Sequence, residues 1–511
     1  MSWPATLFAT KRFAVLGLGR NGLPVVHALR AMGAYVAAWD DHLQPPGLLL
    51  ENPLTSIGHF DALVLSPGIP HTLPAPHPVA AAAVAAGVSG LVGTAGLESA
   101  VRALVITTGL SRELAAAALA GVTALIVAPG GLGGMVWAAT GAAGTLIAAL
   151  AFPLAALALD GAAPMLFLDR AAWVETGARM ALWSDAQIEA SNSPVLVLAL
   201  SIGVGALAPL MSCFIACPNQ RGARRAGLAA IGWAALIAAL VAASMALAVV
   251  AFDATLIGAQ PERLPQFIYA AGAKGLVTIC GAHAADPAAA HAACLTRAGF
   301  KGVLRAQDIA ASGQYMLIGL PELRGFGSAF SGLLAAGEIG AGLVLAAAGF
   351  QAMATALGHD AFYRVRDTAA LTSRRLAVTR LVLVAAIGAT AALLAHVSCD
   401  PRTAIALAIA FSAAGIAPLL ALALWPRASG ADATVALLAG LATAEIVIMT
   451  AGGSPGIDRL AGAALLACLV SVAAGLATSL LRGPEDFTRG GAFVHGVLHG
   501  EADVLAPDKG A

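Results

Sequence analysis

Charge is what this chain lacks most. Of its 511 residues, 28 are Lys or Arg and 28 are Asp or Glu, 11% together, where a soluble globular protein carries about 25%. With a formal net charge of zero there is no basic face for a phosphate backbone, so nucleic-acid binding is excluded. Aromatic residues are only 5%. The six cysteines show no metal-ligand spacing. Cys213 and Cys217, four apart in an apolar run, read as small buried residues. Cys280 and Cys294 are expected to be free thiols, with a disulfide as the alternative if their segment faces an oxidising compartment. What the chain has instead is apolar residue: 59% of it, with a mean hydropathy of +0.84. A soluble fold cannot hide that much apolar surface, so most of the chain is expected in a lipid bilayer. A purely cytosolic enzyme and a disordered protein are excluded.

The first hundred residues differ. No signal peptide is expected, since the apolar run after Lys11-Arg12 is short and ends in glycines. That run, 13–17, reads as a strand. It leads into Gly17-Leu18-Gly19-Arg20-Asn21-Gly22, an amphipathic helix over 23–32, and a second strand over 35–39 that ends at Asp40. This is β-α-β with G-x-G-x-x-G at the first turn. The glycines let backbone amides approach a phosphate at the helix N-terminus, and the acid suits a ribose or base edge. A third strand over 61–65 runs into Ser66-Pro67-Gly68-Ile69-Pro70, followed by an alanine-rich helix to Gly87.

The segments VLGLGRNG, AWDD and DALVLSPGIP resemble the N-terminal domain of the peptidoglycan-precursor ligase that adds D-glutamate to UDP-N-acetylmuramoyl-alanine. The resemblance implies a Rossmann-like domain over 1–95 that binds the UDP end of a nucleotide sugar. It puts Gly17, Leu18, Gly19 and Arg20 on the diphosphate, Asp40 on the nucleoside, and Ser66, Pro67 and Gly68 around the uracil. Ligase chemistry is not expected. Where that family has an ATP loop, this chain has Thr107-Thr-Gly109-Leu-Ser-Arg-Glu113, which lacks the phosphate-binding lysine. The central and C-terminal ligase domains are absent as well.

Crossing about 30 Å of hydrocarbon takes roughly 17–25 apolar residues. Suitable runs lie near 114–130, 133–159, 194–216, 225–252, 327–357, 378–397, 402–425, 432–452 and 460–481. A weaker one over 88–109 contains Glu98 and Arg102. Loop charge sets orientation. Arg221, Arg224 and Arg225, and again Arg364, Arg366, Arg374 and Arg375, mark cytoplasmic loops. The acid-rich loop 160–193 and the long loop 253–326 are expected outside. With the N-terminal domain in the cytoplasm, either none or two crossings precede the turn at 130–131; 88–109 is expected to span together with 114–130, the alternative being that neither crosses fully. This gives about ten helices over 96–482, a cytoplasmic tail over 483–511, and a multi-pass protein of the bacterial inner membrane.

The segments APGGLGG, ARRAGLAAIGWAALIAAL, GLVTICG, VLRAQDIA, GHDAFYRV, SRRLAVTRLVLV and RGPEDF together resemble a divergent member of the sodium/solute symporter family, in its cation/acetate-permease-like branch. The implied fold is mostly α: an inverted-repeat transporter bundle, here incomplete, with solute and ion sites at mid-membrane. The implied coupling ion is Na+, and the implied cargo a small organic anion such as acetate. No other cofactor or metal is expected. There are three departures from the family pattern. The family's opening helices are missing, so a partner chain would have to supply them. The Ser-Thr pair that coordinates sodium falls on Val344 and Leu345, which offer no oxygen to a hard cation. Cys213 replaces a basic residue.

Two carboxylates, Glu338 and Glu445, fall within spans, where charge is costly and marks a pathway or a partner. Glu338 either replaces the lost hydroxyls and couples transport to protons, or is simply hydrogen-bonded to a neighbouring helix. Glu338, Ala341, Val344, Leu345, Thr355 and Glu445 are the pathway candidates. Two functional readings follow. One is a cation-coupled secondary transporter in the lipid bilayer. The other is a transport-incompetent sensor or scaffold that binds a UDP-sugar through its N-terminal domain.

Overall fold

The computed structural model describes residues 8–16, 22–39, 62–65, 78–159, 174, 177, 193–215, 217, 220–311, 313–323, 325, 328–362, 372–425, 427–450 and 457–481. Near the N-terminus, β1 (Arg12–Leu16), α1 (Gly22–Ala31), β2 (Tyr35–Trp39) and β3 (Ala62–Leu65) form a parallel sheet of order β2-β1-β3. Phe13 pairs with Val36 on one side and Ala62 on the other. Parallel strands need a crossover, and α1 provides it. Val26 and Leu29 of α1 pack on Val15, Val36 and Ala38.

The other described residues are mostly helical. α2 (Pro78–Thr108) runs unbroken through residue 95, where the sequence pattern suggested a domain boundary. Its N-terminal half already packs in the bundle: Val84, Val88 and Val92 share a cluster with Ala408. α3 (Arg112–Leu159) has a break at Gly131, whose φ of 51° is non-helical. Residues eight apart in a straight helix stand about 12 Å apart. Here the carbonyl of Ile126 lies against Gly134, so the chain folds back at Gly131. The arms 112–130 and 132–159 are about 28 and 42 Å long at 1.5 Å per residue.

Next come α4 (Ser193–Gly205), α5 (Ala208–Ile215), and α6 (Gln220–Leu256), which at 37 residues is about 55 Å long. Arg221, Arg224 and Arg225 are therefore exposed residues of the first turns of α6, not of a loop. α4 and α5 meet at a 50° bend. Cys213, expected to be buried, is exposed on α5, and its thiol reaches only the carbonyl of Pro209 in its own helix.

The stretch after α6, read from sequence as a loop, is a packed cap. It holds α7 (Gln266–Ala273), β4 (Val277–Ile279), α8 (Pro287–Leu295) and β5 (Ile309–Ala311), and then α9 (Gly313–Leu323). β4 and β5 pair antiparallel, Ile279 opposite Ile309. Asp286 starts α8 by accepting the Ala289 amide, with Pro287 at the first helical position. The expectation of free thiols at Cys280 and Cys294 is corrected here. They form a disulfide, with Cα atoms 5.0 Å apart. The reason is local: Cys280 turns the chain at a φ of 52° directly after β4, and Cys294 lies in the last turn of α8. Loop length and spacing alone do not reveal that turn.

The bundle is completed by α10 (Ser328–Thr355, continued by a π-helical turn over Ala356–Ala361), α11 (Thr372–His396), α12 (Pro401–Phe411, with a π-turn over Ser412–Ile416), α13 (Ala417–Ala423), α14 (Gly430–Thr450) and α15 (Ile457–Leu481). Asp400 caps α12 through the Thr403 amide, again with Pro at the first position. Ser429 and Asp432 form a reciprocal cap on α14, each side chain accepting the other's amide. Among the described residues, eight helices are long and apolar enough to cross a membrane, or nine if the bent pair α4–α5 is one span. That tally treats the folded-back α3 as a single helix. The molecule is thus a polytopic helix bundle preceded by a small α/β unit.

Candidate functional site

A close seam of the bundle lies between α2 and α10. A Cβ added at Gly96 would stand 2.5 Å from the amide nitrogen of Ala346, 2.6 Å from the carbonyl of Gly342 and 2.9 Å from the carbonyl carbon of Leu345; Gly349 meets the backbone of Gly93. Small residues let the backbones touch, as packing in lipid favours. Val344 and Leu345 lie at this crossing. Val344 is half-buried and Leu345 is 38% exposed. The backbone contact at Gly96 leaves no room for an ion and its oxygen shell against α2. The side chains at this point, Val344 and Leu345, offer no oxygen to a cation.

The other pathway candidates do not converge. Ala341 is half-buried. Thr355 is exposed and its hydroxyl donates to the Gln351 carbonyl of its own helix, 2.9 Å away. Glu445 is exposed on α14. His359 and Asp360, in the π-turn that ends α10, pair with each other at 2.9 Å. Glu338 is half-buried, and its buried Oε2 has no hydrogen-bond partner among the described residues. Beside it is Gln314 of α9, whose side-chain amide also donates to the Ser99 carbonyl of α2 at 3.4 Å. Glu338 therefore faces the junction of α2, α9 and α10.

One turn of α2 nearby holds a charge cluster that hydropathy scanning treats only as a blemish. The side chain of Glu98 is fully buried. It accepts from Arg102 Nε at 2.7 Å and from the guanidinium of Arg112. Arg102 also donates to the Cys399 carbonyl at 2.5 Å, and Arg112 to the Leu394 carbonyl at 2.6 Å. Two arginines thus satisfy one buried carboxylate and the open carbonyl end of α11 together, as a buried charge requires. This ties α2, α3 and the α11–α12 link at one end of the bundle.

At the same end, a cavity of about 270 Å³ lies where the cap meets the bundle. Lys274, the residue after α7, reaches into the end of α2 and donates to the Ile106 carbonyl at 2.7 Å. The cation sits there on the negative end of a helix dipole. Tyr315 and Glu322 of α9, Thr107 of α2 and Ser331 of α10 also line the cavity. The Tyr315 hydroxyl donates to the Phe267 carbonyl at 3.1 Å. Burial, with the Glu322 charge adding to it, pushes the Tyr315 hydroxyl above its usual value, so it stays a neutral donor at any physiological pH. Nothing in the sequence pattern marked this cavity, because its walls come from four separate elements.

The residues that the ligase resemblance assigned to a nucleotide, Gly17, Leu18, Gly19, Arg20, Asp40, Ser66, Pro67 and Gly68, lie outside the described residues. The strands that lead to them are in place. No cluster of His, Cys, Asp or Glu suited to a metal occurs among the described residues.

Comparison with known proteins divides the chain in two. No family model matches. Over 94 residues, 17% of the chain, it is 46% identical to the UDP-N-acetylmuramoylalanine–D-glutamate ligase of Ruegeria pomeroyi. It is 41% identical over 93 residues to that of Dinoroseobacter shibae, and 45% over 87 residues to that of Paramagnetospirillum magneticum. The chain spans about a fifth of the length of these curated relatives. A solved structure of a Na+-coupled sialic acid symporter, in a substrate-bound outward-open state, matches with a TM-score of 0.51 over 80% of this chain and 76% of that one. Identity there is 14%, so the likeness is one of fold.

Proposed function

We propose that the protein is a cation-coupled secondary transporter of a small organic solute, with Na+ as the coupling ion. The observation that carries this reading is the fold match over 80% of the chain to a Na+-coupled symporter. The loop charges favour a bacterial inner membrane, with the N-terminal unit and the tail in the cytoplasm and the cap outside. A disulfide in the cap suits that placement. Counting the two arms of α3 and the bent pair α4–α5 as spans gives ten crossings, which fits this orientation. A small organic anion such as acetate, as in the acetate-permease branch, is the cargo suggested by the sequence resemblance.

With Val344 and Leu345 offering no side-chain oxygen, the coupling ion needs another ligand. Glu338, with its unpartnered oxygen at the α2–α9–α10 junction, is that ligand in our reading, for Na+ or for a proton.

The test is the unfolding temperature of the purified protein in sodium, potassium and choline chloride at equal ionic strength. A ligand that binds only the folded state stabilises it by RT ln(1 + [L]/Kd), about 2.7 kcal/mol at a hundredfold excess over Kd. A rise specific to sodium, lost in Glu338→Gln, is expected. Identical values in the three salts would remove the sodium-coupled reading.

A second reading has its own support. The 46% identity over the first 94 matched residues favours a nucleotide-sugar site on the N-terminal unit, with Gly17, Leu18, Gly19, Arg20, Asp40, Ser66, Pro67 and Gly68 as its residues. A ligation reaction is not part of this proposal. Thr107–Glu113 is the turn between α2 and α3, with Gly109 at a φ of 71°, between two apolar helices. A P-loop needs a strand before it and a lysine in it.

A further inference from the structure

We propose that the cavity between the cap and the bundle binds a small zwitterion of the amino-acid class, its carboxylate on Lys274 and its ammonium on Glu322. Three observations carry this. The cavity, about 270 Å³, is just below the usual range for drug-sized ligands of about 300–1,000 Å³, so it suits a small solute. Its two charges are of opposite sign and form no ion pair with each other. Lys274 spends one of its three N–H donors on the Ile106 carbonyl, which fixes the ammonium and leaves two donors for a ligand. Among the described residues, no side-chain hydrogen bond or ion pair engages Glu322. Finally, the hydroxyl of Ser331, 93% buried by its 7% exposure, lines the cavity and has no hydrogen-bond partner. A buried hydroxyl left unpaired costs on the order of 1–3 kcal/mol, which a polar ligand recovers.

Simpler ligands fit less well. A plain monocarboxylate gains Lys274 but brings its charge towards Glu322, and a plain amine meets the reverse conflict. A ligand with both charges satisfies both walls. Tyr315, held as a neutral donor against Phe267, closes the apolar side. Lys274 has a structural task as well, at the end of α2, and that task positions the ammonium at the cavity. The assignment is of a binding site; that its ligand is also cargo rests on the transporter reading above.

The experiment uses the full chain in nanodiscs, in sodium-free choline chloride at pH 7. Binding of glycine, L-alanine and L-serine is measured by calorimetry, alongside the N-acetyl and carboxamide form of each. We expect at least one zwitterion to bind and both its blocked forms to bind at least tenfold more weakly. Lys274→Gln weakens the zwitterion at least tenfold, while Lys274→Arg retains it. Glu322→Gln abolishes the discrimination against the N-acetyl form. Because Lys274→Gln also uncaps α2, Glu322→Gln, at an exposed side chain with no partner among the described residues, is the deciding arm if Lys274→Gln fails to fold. Absence of binding by all three zwitterions, equal binding of the blocked forms, or an affinity untouched by Glu322→Gln overturns the site. Retained binding with no sodium effect on unfolding would sink the transporter reading and leave this site standing; the reverse would sink this site alone.

Discussion

The cap and the α2–α10 seam beneath it bury apolar surface with different shares of large and small side chains. In the cap and the helix ends it covers, the fully buried side chains are large: Phe252, Leu256, Ile268, Ile279 and Leu304. At the α2–α10 seam, Ser89, Gly93 and Gly96 meet Gly342, Ala346 and Gly349 backbone to backbone, with Leu97 and Phe350 as the large buried side chains between them. The difference follows from solvent. Outside the apolar spans, removing large side chains from water is the driving force, at about 25 cal/mol per Å². Between helices in lipid that drive is absent, and close van der Waals contact replaces it. One chain therefore follows two packing rules, and the boundary between them is where the cavity of Lys274 and Glu322 opens.

The largest effect should come from adding volume to the seam. In Gly96→Val, the new Cβ would fall 2.5 Å from the Ala346 amide nitrogen, with backbone rather than a movable side chain in its way. Overpacking of a closed contact costs about 1–3 kcal/mol or more, and here two helices must part along their length. We expect no monodisperse protein in detergent, or an unfolding temperature lowered by many degrees. A wild-type elution profile and unfolding curve would show that α2 and α10 are not in backbone contact.

In the cap, a cross-link is the feature to remove. The disulfide closes a loop of 14 residues, and loops of this size are stabilised by about 3 kcal/mol through the unfolded state. Cys280→Ser should therefore loosen the cap and leave the bundle standing. The expected reading is faster amide hydrogen exchange over 264–311, with protection of α10 and α15 unchanged. Equal exchange in the two regions would mean that cap and bundle unfold as one unit and that the contrast between them is false.

What could be read from sequence follows the same division. The spans and the β-α-β unit were legible because both are local: an apolar run of spanning length, and a strand–glycine–helix–strand order within 30 residues. Seams and sites were not. Glu98 and Arg102 looked like flaws in a weak span, because their pairing depends on Arg112 across a turn and on the open end of α11, 282 residues away in the chain. The disulfide depends on one residue, Cys280, adopting a positive φ. The cavity draws on α2, α7, α9 and α10. Glu338 was legible as a carboxylate within a span, but not that Gln314 stands beside it. Val344 and Leu345 were legible as lacking oxygen, but not that the α2 backbone lies against their segment.

The smallest expected effect separates the two carboxylates that sequence treated alike. Glu338 and Glu445 both interrupt apolar runs, and hydropathy gives them equal weight. The structure does not: one Glu338 oxygen is buried without a partner, whereas Glu445 lies on the exposed face of α14, five residues before the helix ends at Thr450. At about 1.5 Å per residue it is some 7–8 Å from that end, close enough for its carboxylate to be wetted at the interface. Glu445→Gln removes a carboxylate that no described residue holds. Substitutions at such positions usually stay within about 0.5 kcal/mol. Unfolding temperature and any sodium response should match the parent, while Glu338→Gln abolishes the sodium response. If Glu445→Gln also abolished it, the exposed face of α14 would be the ion path and the buried α2–α9–α10 junction would not.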